Sequence, residues 1–164
     1  MSDDFYTEPK LIRGGLAIDD RGELAFCNEF QFAGIKRFYL VRNHRAGFVR
    51  AWHAHKNEHK FIGCLVGAAK VGAVNVGGLI EEIKQDGYPI DADRPFKHLE
   101  PMTWTLSAHQ PGILHIPAGW ANGWMSLTDD TLLAFYSTST LEESQADDFR
   151  YPADWWNCWE VEAR

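Results

Sequence analysis

The stretch RAWHAHK, residues 50–56, places two histidines one residue apart beside positively charged side chains. Imidazoles at this spacing suit three roles: ligands of a divalent metal, a pair that moves protons, or polar strand residues without chemistry. In a β-strand, residues i and i+2 share a face, so His53 and His55 are expected to point the same way. Arg50 falls on the opposite face unless a β-bulge redirects it.

The spacing of the residues around this stretch is more informative than the pair alone. Five residues separate Gly47 from His53, and one separates His53 from His55. Four residues then separate His55 from Lys60, and six separate Lys60 from Gly67. This pattern resembles the first motif of the cupin barrels, which usually have glutamate at the position of Lys60.

The downstream stretch GILHIPAGWANGW resembles the second cupin motif, with Asn122 where those proteins have histidine. A lysine ammonium repels a cation, and a neutral amide is a poor replacement for an imidazole ligand. We therefore predict neither a metal site nor any other cofactor. His53 is then a neutral proton acceptor, and a nearby Lys60 lowers its pKa below the ordinary value of about 6.5.

The elements that must position these side chains are short. Runs rich in aromatic and branched residues alternate with Gly, Pro, Asn and Asp, and no long stretch keeps a helical period. The 164 residues predict one domain, 1–164, of all-β class: a cupin (jelly-roll) barrel with a short helical or irregular C-terminal tail. Residues 79–97 are polar and predict an excursion between two strands.

The charge and composition exclude some classes of partner. A formal net charge of −7 argues against nucleic acid and anionic membranes, which need a basic surface, but allows a small anionic ligand. The N-terminus is polar, no apolar run approaches a membrane span, and three cysteines lie far apart. A soluble cytoplasmic protein is therefore expected.

Several motifs together resemble two related groups of cupin enzymes, the dTDP-4-dehydrorhamnose 3,5-epimerases and the sugar 3,4-ketoisomerases. DDRG is similar to the epimerase turn D-x-R-G, VRAWHAHK to the ketoisomerase strand R-G-x-H-A-H, and HIPAGWANGW to the epimerase I-P-x-G-F-A-H-G-F. LLAFYSTSTLEES is similar to the epimerase Y-x-x-T strand. The resemblance covers most of the chain, from about Asp19 to Trp159.

The resemblance implies a role for each matched position. His53 corresponds to the general base and Tyr136 to the general acid, with His55 a second catalytic residue as in the ketoisomerases. The residues implied in substrate binding, chiefly of the diphosphate, are Arg50, Lys60, Arg21, Asn122 and Arg37. The aspartate that orients the epimerase base comes from a longer C-terminal segment, so the resemblance leaves the partner of His53 unassigned.

Structural roles compete with these functional ones. Tyr136 also suits a barrel wall, Lys60 a strand start at the surface, and Arg21 and Arg37 solvated positions. The tail tryptophans are more typical of packing than of stacking on a substrate.

The resulting interpretation is a metal-independent epimerase, acting at C3, C5 or both, on a nucleoside-diphosphate 4-keto-6-deoxysugar in deoxysugar and polysaccharide biosynthesis. The alternatives are a 3,4-ketoisomerase of the same substrate class and a cupin that binds a sugar nucleotide without turnover. The resemblance also implies a homodimer whose DDRG arm reaches the partner's site.

Overall fold

The computed structural model of the protein describes residues 6–80 and 98–163. The predicted excursion at 79–97 therefore lies largely outside the described residues. No helix in these two ranges has both the length and the apolar composition needed to span a bilayer.

Strands are the main regular structure of the described residues, with one short helix. In chain order the elements are β1 (Lys10–Arg13), β2 (Gly15–Asp19), β3 (Gly22–Phe26), β4 (Arg37–Arg42), β5 (Val49–Ala54), β6 (Lys60–Val66), β7 (Ala68–Asn75), β8 (Met102–Ser107), β9 (Gly112–Ile116), β10 (Trp120–Ser126), β11 (Leu132–Ser137), α1 (Leu141–Ala146) and β12 (Phe149–Arg150).

Two antiparallel five-stranded sheets face each other. The first has the order β1-β9-β6-β11-β4, and the second has the order β12-β5-β10-β7-β8. Alternate side chains of each sheet point between the two layers, where they form a core that includes Ile62, Val71, Leu114 and Leu133. The confirmed fold class is thus a cupin-like all-β fold, with two facing sheets that hydrogen bonds do not close into a barrel in the described ranges.

The C-terminal tail covers the outer face of the second sheet. It begins with α1, whose N-terminus is closed by a capping box between Thr140 and Glu143, and continues through β12. Trp52 of β5 is fully buried there, its indole N–H donates to the backbone oxygen of Trp155 at 2.7 Å, and its ring packs edge-on against Trp156. The prediction that the tail tryptophans pack against the barrel is confirmed.

The hairpin formed by β2 and β3 is a separate two-stranded sheet. The DDRG turn lies at its tip, between Asp19 and Gly22. Its outward side chains include Ile18 and Leu24, which are 74% and 64% exposed.

Candidate active site

A cavity of about 200 Å³ opens between the two sheets. The first sheet contributes Tyr39, Val41, Lys60 and Phe135, and the second contributes Arg50, His53, Asn122 and Trp124. This volume is below the roughly 300–1,000 Å³ of pockets that enclose a drug-sized ligand, so it suits a sugar ring rather than a whole nucleotide sugar.

A β-bulge brings Arg50 and His53 to the same cavity. In the register between β5 and β10, His53 lies opposite Asn122 and Arg50 lies opposite Trp124. The two β5 residues are three positions apart, whereas their partners on β10 are two apart, so β5 holds one extra residue. Both side chains consequently share the inner face, which simple alternation along β5 would not allow.

Gly123 makes the bulge sterically possible. It lies between the two paired positions of β10, and a Cβ atom there would clash with Ala51 and approach the backbone oxygen of Arg50 to 3.0 Å. The small residue at this point of β10 therefore permits the close approach of β5.

His53 has an acidic partner from the tail. Its Nδ1 atom lies 3.5 Å from Oδ1 of Asp148, and Oδ2 of Asp148 accepts a hydrogen bond from Arg150 at 2.8 Å. Pairing of β12 with β5 sets this contact, because Arg150 lies opposite His53 in the register. Asp148 thus occupies the role for which the resemblance offered no residue: it favours a proton on Nδ1 and leaves Nε2 of His53 as the basic atom.

Burial and the positive charge of Lys60 lower the pKa of His53, while Asp148 acts in the opposite direction. Burial raises the pKa of Asp148, but the hydrogen bond and charge of Arg150 outweigh it and hold that pKa below its ordinary value. At neutral pH the pair is therefore a neutral imidazole beside a carboxylate, the arrangement required of a general base.

His55 does not line the cavity but lies behind Lys60. Its Nε2 atom is 2.8 Å from Nζ of Lys60, and its Nδ1 atom is 3.2 Å from Oε2 of Glu58. Lys60 itself is buried and borders the cavity, so His55 contacts a residue of the cavity wall and not the cavity itself.

Glu58 is a fully buried carboxylate beneath the cavity. Its Oε1 atom accepts hydrogen bonds from Oγ of Ser137 at 2.7 Å and from Arg37 at 3.3 Å. Arg37 thus forms an ion pair with Glu58, and it is not among the residues that line the cavity. Burial raises the pKa of Glu58, but the charges of Lys60 and His55 and its hydrogen bonds to serines lower it below the ordinary value.

The wall opposite His53 carries Tyr39 rather than Tyr136. Residues alternate along β11, so Phe135 faces the cavity while Tyr136 points outward, where its ring packs against Phe30 and Phe32. Phe135 pairs with Tyr39 of β4, and their rings stack at 5.1 Å. Tyr136, to which the resemblance gives the role of general acid, is therefore not among the residues that line the cavity, and the inward tyrosine on that side is Tyr39.

The hydroxyl of Tyr39 stays protonated at neutral pH. Burial, reinforced by the charge of Glu58, raises its pKa to about 12. Tyr39 is therefore a neutral hydrogen-bond donor among the residues that line the cavity, and it comes from the sheet opposite to the one that carries His53.

Arg50 and Asn122 line the cavity as the sequence predicts. Nε of Arg50 donates to Oδ1 of Asn43 at 2.7 Å, and Asn43 is buried and held by the backbone oxygen of Phe48. Nδ2 of Asn122 donates to the backbone oxygen of His53 at 3.0 Å. Asn122 therefore stabilises the bulged strand as well as bordering the cavity.

Arg21 does not reach the cavity of its own chain. It pairs with Asp19 within the hairpin turn, and its side chain is 86% exposed. Among the described residues, no three or more His, Cys, Asp or Glu side chains are grouped closely enough to hold a metal ion.

Tyr39, Glu58 and Asp148 have central contacts in this site and are not among the site residues predicted from the sequence. Period-2 counting in RFYLVR puts Tyr39 on the same face as Arg37, but it does not indicate which face of β4 points inward. Glu58 and Asp148 belong to a loop and to the tail, and only the tertiary fold brings them to the histidines.

The sequence matches one protein family. The family is described as FdtA: WxcM-like, C-terminal, and the match covers residues 7–112. No curated protein is significantly similar to this chain.

Solved structures share the fold at low sequence identity. The dTDP-4-dehydrorhamnose 3,5-epimerase of Bacillus anthracis has a TM-score of 0.71 and 20% identity, over 96% of this chain and 87% of the other. The 3'-monoepimerase ChmJ of Streptomyces bikiniensis has a TM-score of 0.65 and 17% identity, over 87% and 68%. The 3,4-ketoisomerase QdtA of Thermoanaerobacterium thermosaccharolyticum has a TM-score of 0.61 and 19% identity, over 90% of each chain.

We predict that Gly123→Ala destabilises the protein by about 1–3 kcal/mol, because the added methyl overpacks against the bulge of β5. Urea denaturation followed by tryptophan fluorescence measures this change. Gly78→Ala is the matched control, since a Cβ there meets nothing within 4 Å. An equal effect of the two substitutions would contradict the role of Gly123.

We also predict that Asp148→Asn lowers the pKa of His53 further, because the opposing negative charge is lost. Lys60→Met should raise it, because a repelling positive charge is lost. Histidine resonances followed by NMR across a pH titration give both shifts. Asp154→Asn, in the same tail, is the control, and an unchanged midpoint in the Asp148 variant would exclude the contact.

Proposed function

The chain belongs to the WxcM-like, C-terminal family, and from its cavity we propose that it is an isomerase of a nucleoside-diphosphate 4-keto-6-deoxysugar, an epimerase at C3, C5 or both. The observation that carries the proposal is the pairing of groups across the cavity. A carboxylate-backed base, His53, stands on one sheet, and a protonated phenol, Tyr39, stands on the other.

This arrangement suits proton abstraction beside a ketone. A carbonyl at C4 acidifies the hydrogens at C3 and C5, so Nε2 of His53 removes one as a proton and the bond electrons move to the C4 oxygen. Return of a proton to the carbon from Tyr39, on the opposite face, inverts the centre. The phenolate and the imidazolium then exchange protons with solvent, and the enzyme returns to its starting state.

The intermediate enolate needs a positive partner. Lys60 borders the same cavity in a buried position, where a charge acts more strongly on a developing oxyanion than it does in water. General acid–base catalysis typically contributes about 10²–10⁴-fold, and electrostatic stabilisation is usually the larger effect.

The nucleotide part of the substrate lies outside the small cavity. Arg50 is the cavity-lining cation on the same sheet as His53, and its hydrogen bond to Asn43 fixes its direction. A guanidinium donates two parallel hydrogen bonds to phosphate oxygens, so we assign the diphosphate to Arg50.

A 3,4-ketoisomerase is the second candidate. The similarity to QdtA, which extends over 90% of both chains, and the sequence HAH favour it. That reaction moves protons between C3 and C4 on one face of the sugar, for which two histidines on one face are suited. The position of His55 behind Lys60 favours the epimerase instead.

We expect wild-type protein, incubated with a panel of 4-keto-6-deoxysugar nucleotides in D₂O, to exchange hydrogen for deuterium at C3, C5 or both, as followed by NMR. His53→Ala should reduce this exchange by at least about 10²-fold because the base is removed. A saturable thermal shift with the nucleotide sugar shows binding. Binding without any deuterium exchange would identify a binding module rather than an enzyme. A 3-keto product identifies the ketoisomerase.

We predict that Tyr39→Phe retains exchange at the carbon but loses inversion, because the base still acts while the acid on the opposite face is absent. The ratio of deuterium incorporation to epimer formation, read from the same spectra, measures this. Tyr136→Phe is the matched control and should behave as wild type. The reverse pattern in the two variants would restore Tyr136 as the acid.

We further propose a homodimer in which the hairpin arm of one protomer completes the partner's site. Ile18 and Leu24 on the arm are strongly exposed, and so are Phe38 and Leu40 on the outer face of the edge strand β4. Burial against a second copy removes this apolar area from water. Arg21 at the tip of the arm, remote from its own cavity, is then available to bind the diphosphate in the partner's.

Mixed dimers test this arrangement. His53→Ala and Arg21→Ala chains, each weakly active alone, should recover about a quarter of wild-type activity when co-expressed, since half of the dimers are mixed and each mixed dimer has one intact site. Light scattering checks the mass, and Ile18→Asp should dissociate the dimer while Val161→Asp, equally exposed but in the tail, should not. Absence of recovery in a mixed dimer would contradict the contribution of Arg21 in trans.

A further inference from the structure

Lys60 is held by a chain of three ionisable groups that leads away from the cavity. Nζ of Lys60 lies 2.8 Å from Nε2 of His55, and Nδ1 of His55 lies 3.2 Å from Oε2 of Glu58. All three side chains are buried. The contact between Nδ1 and Oε2 lacks the angle of a hydrogen bond and is electrostatic, and the backbone of Asp147 is a second acceptor for the ring of His55.

The chemistry of the two ends fixes the direction of this chain. An ionised carboxylate only accepts hydrogen bonds, and an ammonium only donates them. Glu58 already accepts from Ser137 and Arg37, which is the environment of an ionised carboxylate. His55 must then carry its proton on Nδ1, towards Glu58, and use the lone pair of Nε2 to accept from Lys60.

We propose that Glu58 is a positioning residue, which fixes His55 as the tautomer protonated on Nδ1 so that His55 holds the ammonium of Lys60 at the cavity. The proposal rests on the proposed function for its catalytic consequence. It assigns His55 the task of orienting the cation that faces the enolate, in place of a proton shuttle with His53.

The surrounding charges are consistent with this assignment. Burial and the charge of Lys60 lower the pKa of His55, whereas Glu58, the backbone of Asp147 and the charge of Asp148 act against them, so His55 is neutral at pH 7. Burial also lowers the pKa of Lys60, and the charges of Glu58 and Asp148 partly restore it, while two nearby cations, Arg37 and Arg150, lower it. Removal of Glu58 would therefore take away the larger of the two negative charges that oppose the effect of burial on Lys60.

The tautomer of His55 can be measured without substrate. Long-range ¹H–¹⁵N NMR of the labelled protein separates the two ring nitrogens, and His55→Gln assigns the signals. We expect a proton on Nδ1 in the wild type and a weaker preference for this tautomer in Glu58→Gln, in which a neutral amide replaces the carboxylate. A proton on Nε2 in the wild type would overturn the proposal whether or not any substrate is turned over, so its failure is distinct from that of the proposed function.

The catalytic consequence is measured by deuterium exchange with an active substrate. Glu58→Gln should lower kcat by about 10²-fold with little change in KM, because a misplaced Lys60 weakens binding of the transition state more than that of the substrate. The pH profile of kcat should also change in Glu58→Gln, as the protonation of Lys60 loses its partner. An unaltered kcat and profile in a folded variant would overturn the proposal.

Glu143→Gln is the matched control. Glu143 is an ion-paired glutamate, bound to Lys36 at the surface, and glutamine is equally suited to its capping position. The control should leave the tautomer of His55, kcat and the pH profile as in the wild type. Equal effects of the two substitutions would mean that a lost glutamate charge, rather than the contact with His55, causes the change.

Discussion

The bulge in β5 is the constraint on which the site depends. Regular pairing would direct Arg50 and His53 to opposite faces of the sheet, one into the cavity and one beneath the tail. One extra residue opposite Gly123 brings both inward, and Trp52, between them, points out to the tail tryptophans. The same irregularity therefore brings His53 and the cation Arg50 to one cavity and anchors the segment that supplies Asp148.

The distribution of charge around the cavity depends on this anchored tail segment. The cavity is bordered by two cations, Arg50 and Lys60, and by a neutral imidazole, while its two carboxylates, Glu58 and Asp148, stand behind the groups that face it. A carboxylate behind an imidazole increases its basicity without competing for the ligand. The border of the cavity thus carries two cations and a neutral imidazole, which is the combination that the proposed function requires.

The fold and the strand of His53 were predictable because both depend on local signals: short runs of strand-forming residues, turn residues at fixed intervals, and motif spacing. The motif resemblance does not reveal the direction of Tyr136, because alternation along β11 shows only that Phe135 and Tyr136 lie on opposite faces. Asp148 and the bulge were beyond local inference. Asp148 reaches the site because the two-residue strand β12 pairs with β5. The bulge of β5 depends on Gly123 of β10, because a side chain there would clash with β5, and these two strands are distant in sequence.

The contacts of His55 differ from what the motif resemblance implies for it. HAH alone suggests two equivalent histidines, but the residues that follow, Glu58 and Lys60, make them inequivalent. One imidazole is backed by Asp148 and faces the cavity, and the other is enclosed between a carboxylate and an ammonium. A group already engaged at both nitrogens cannot accept a proton from a sugar without breaking a buried contact, which is costly at low dielectric. The physical difference between the two histidines thus favours a single base working against an acid on the other sheet.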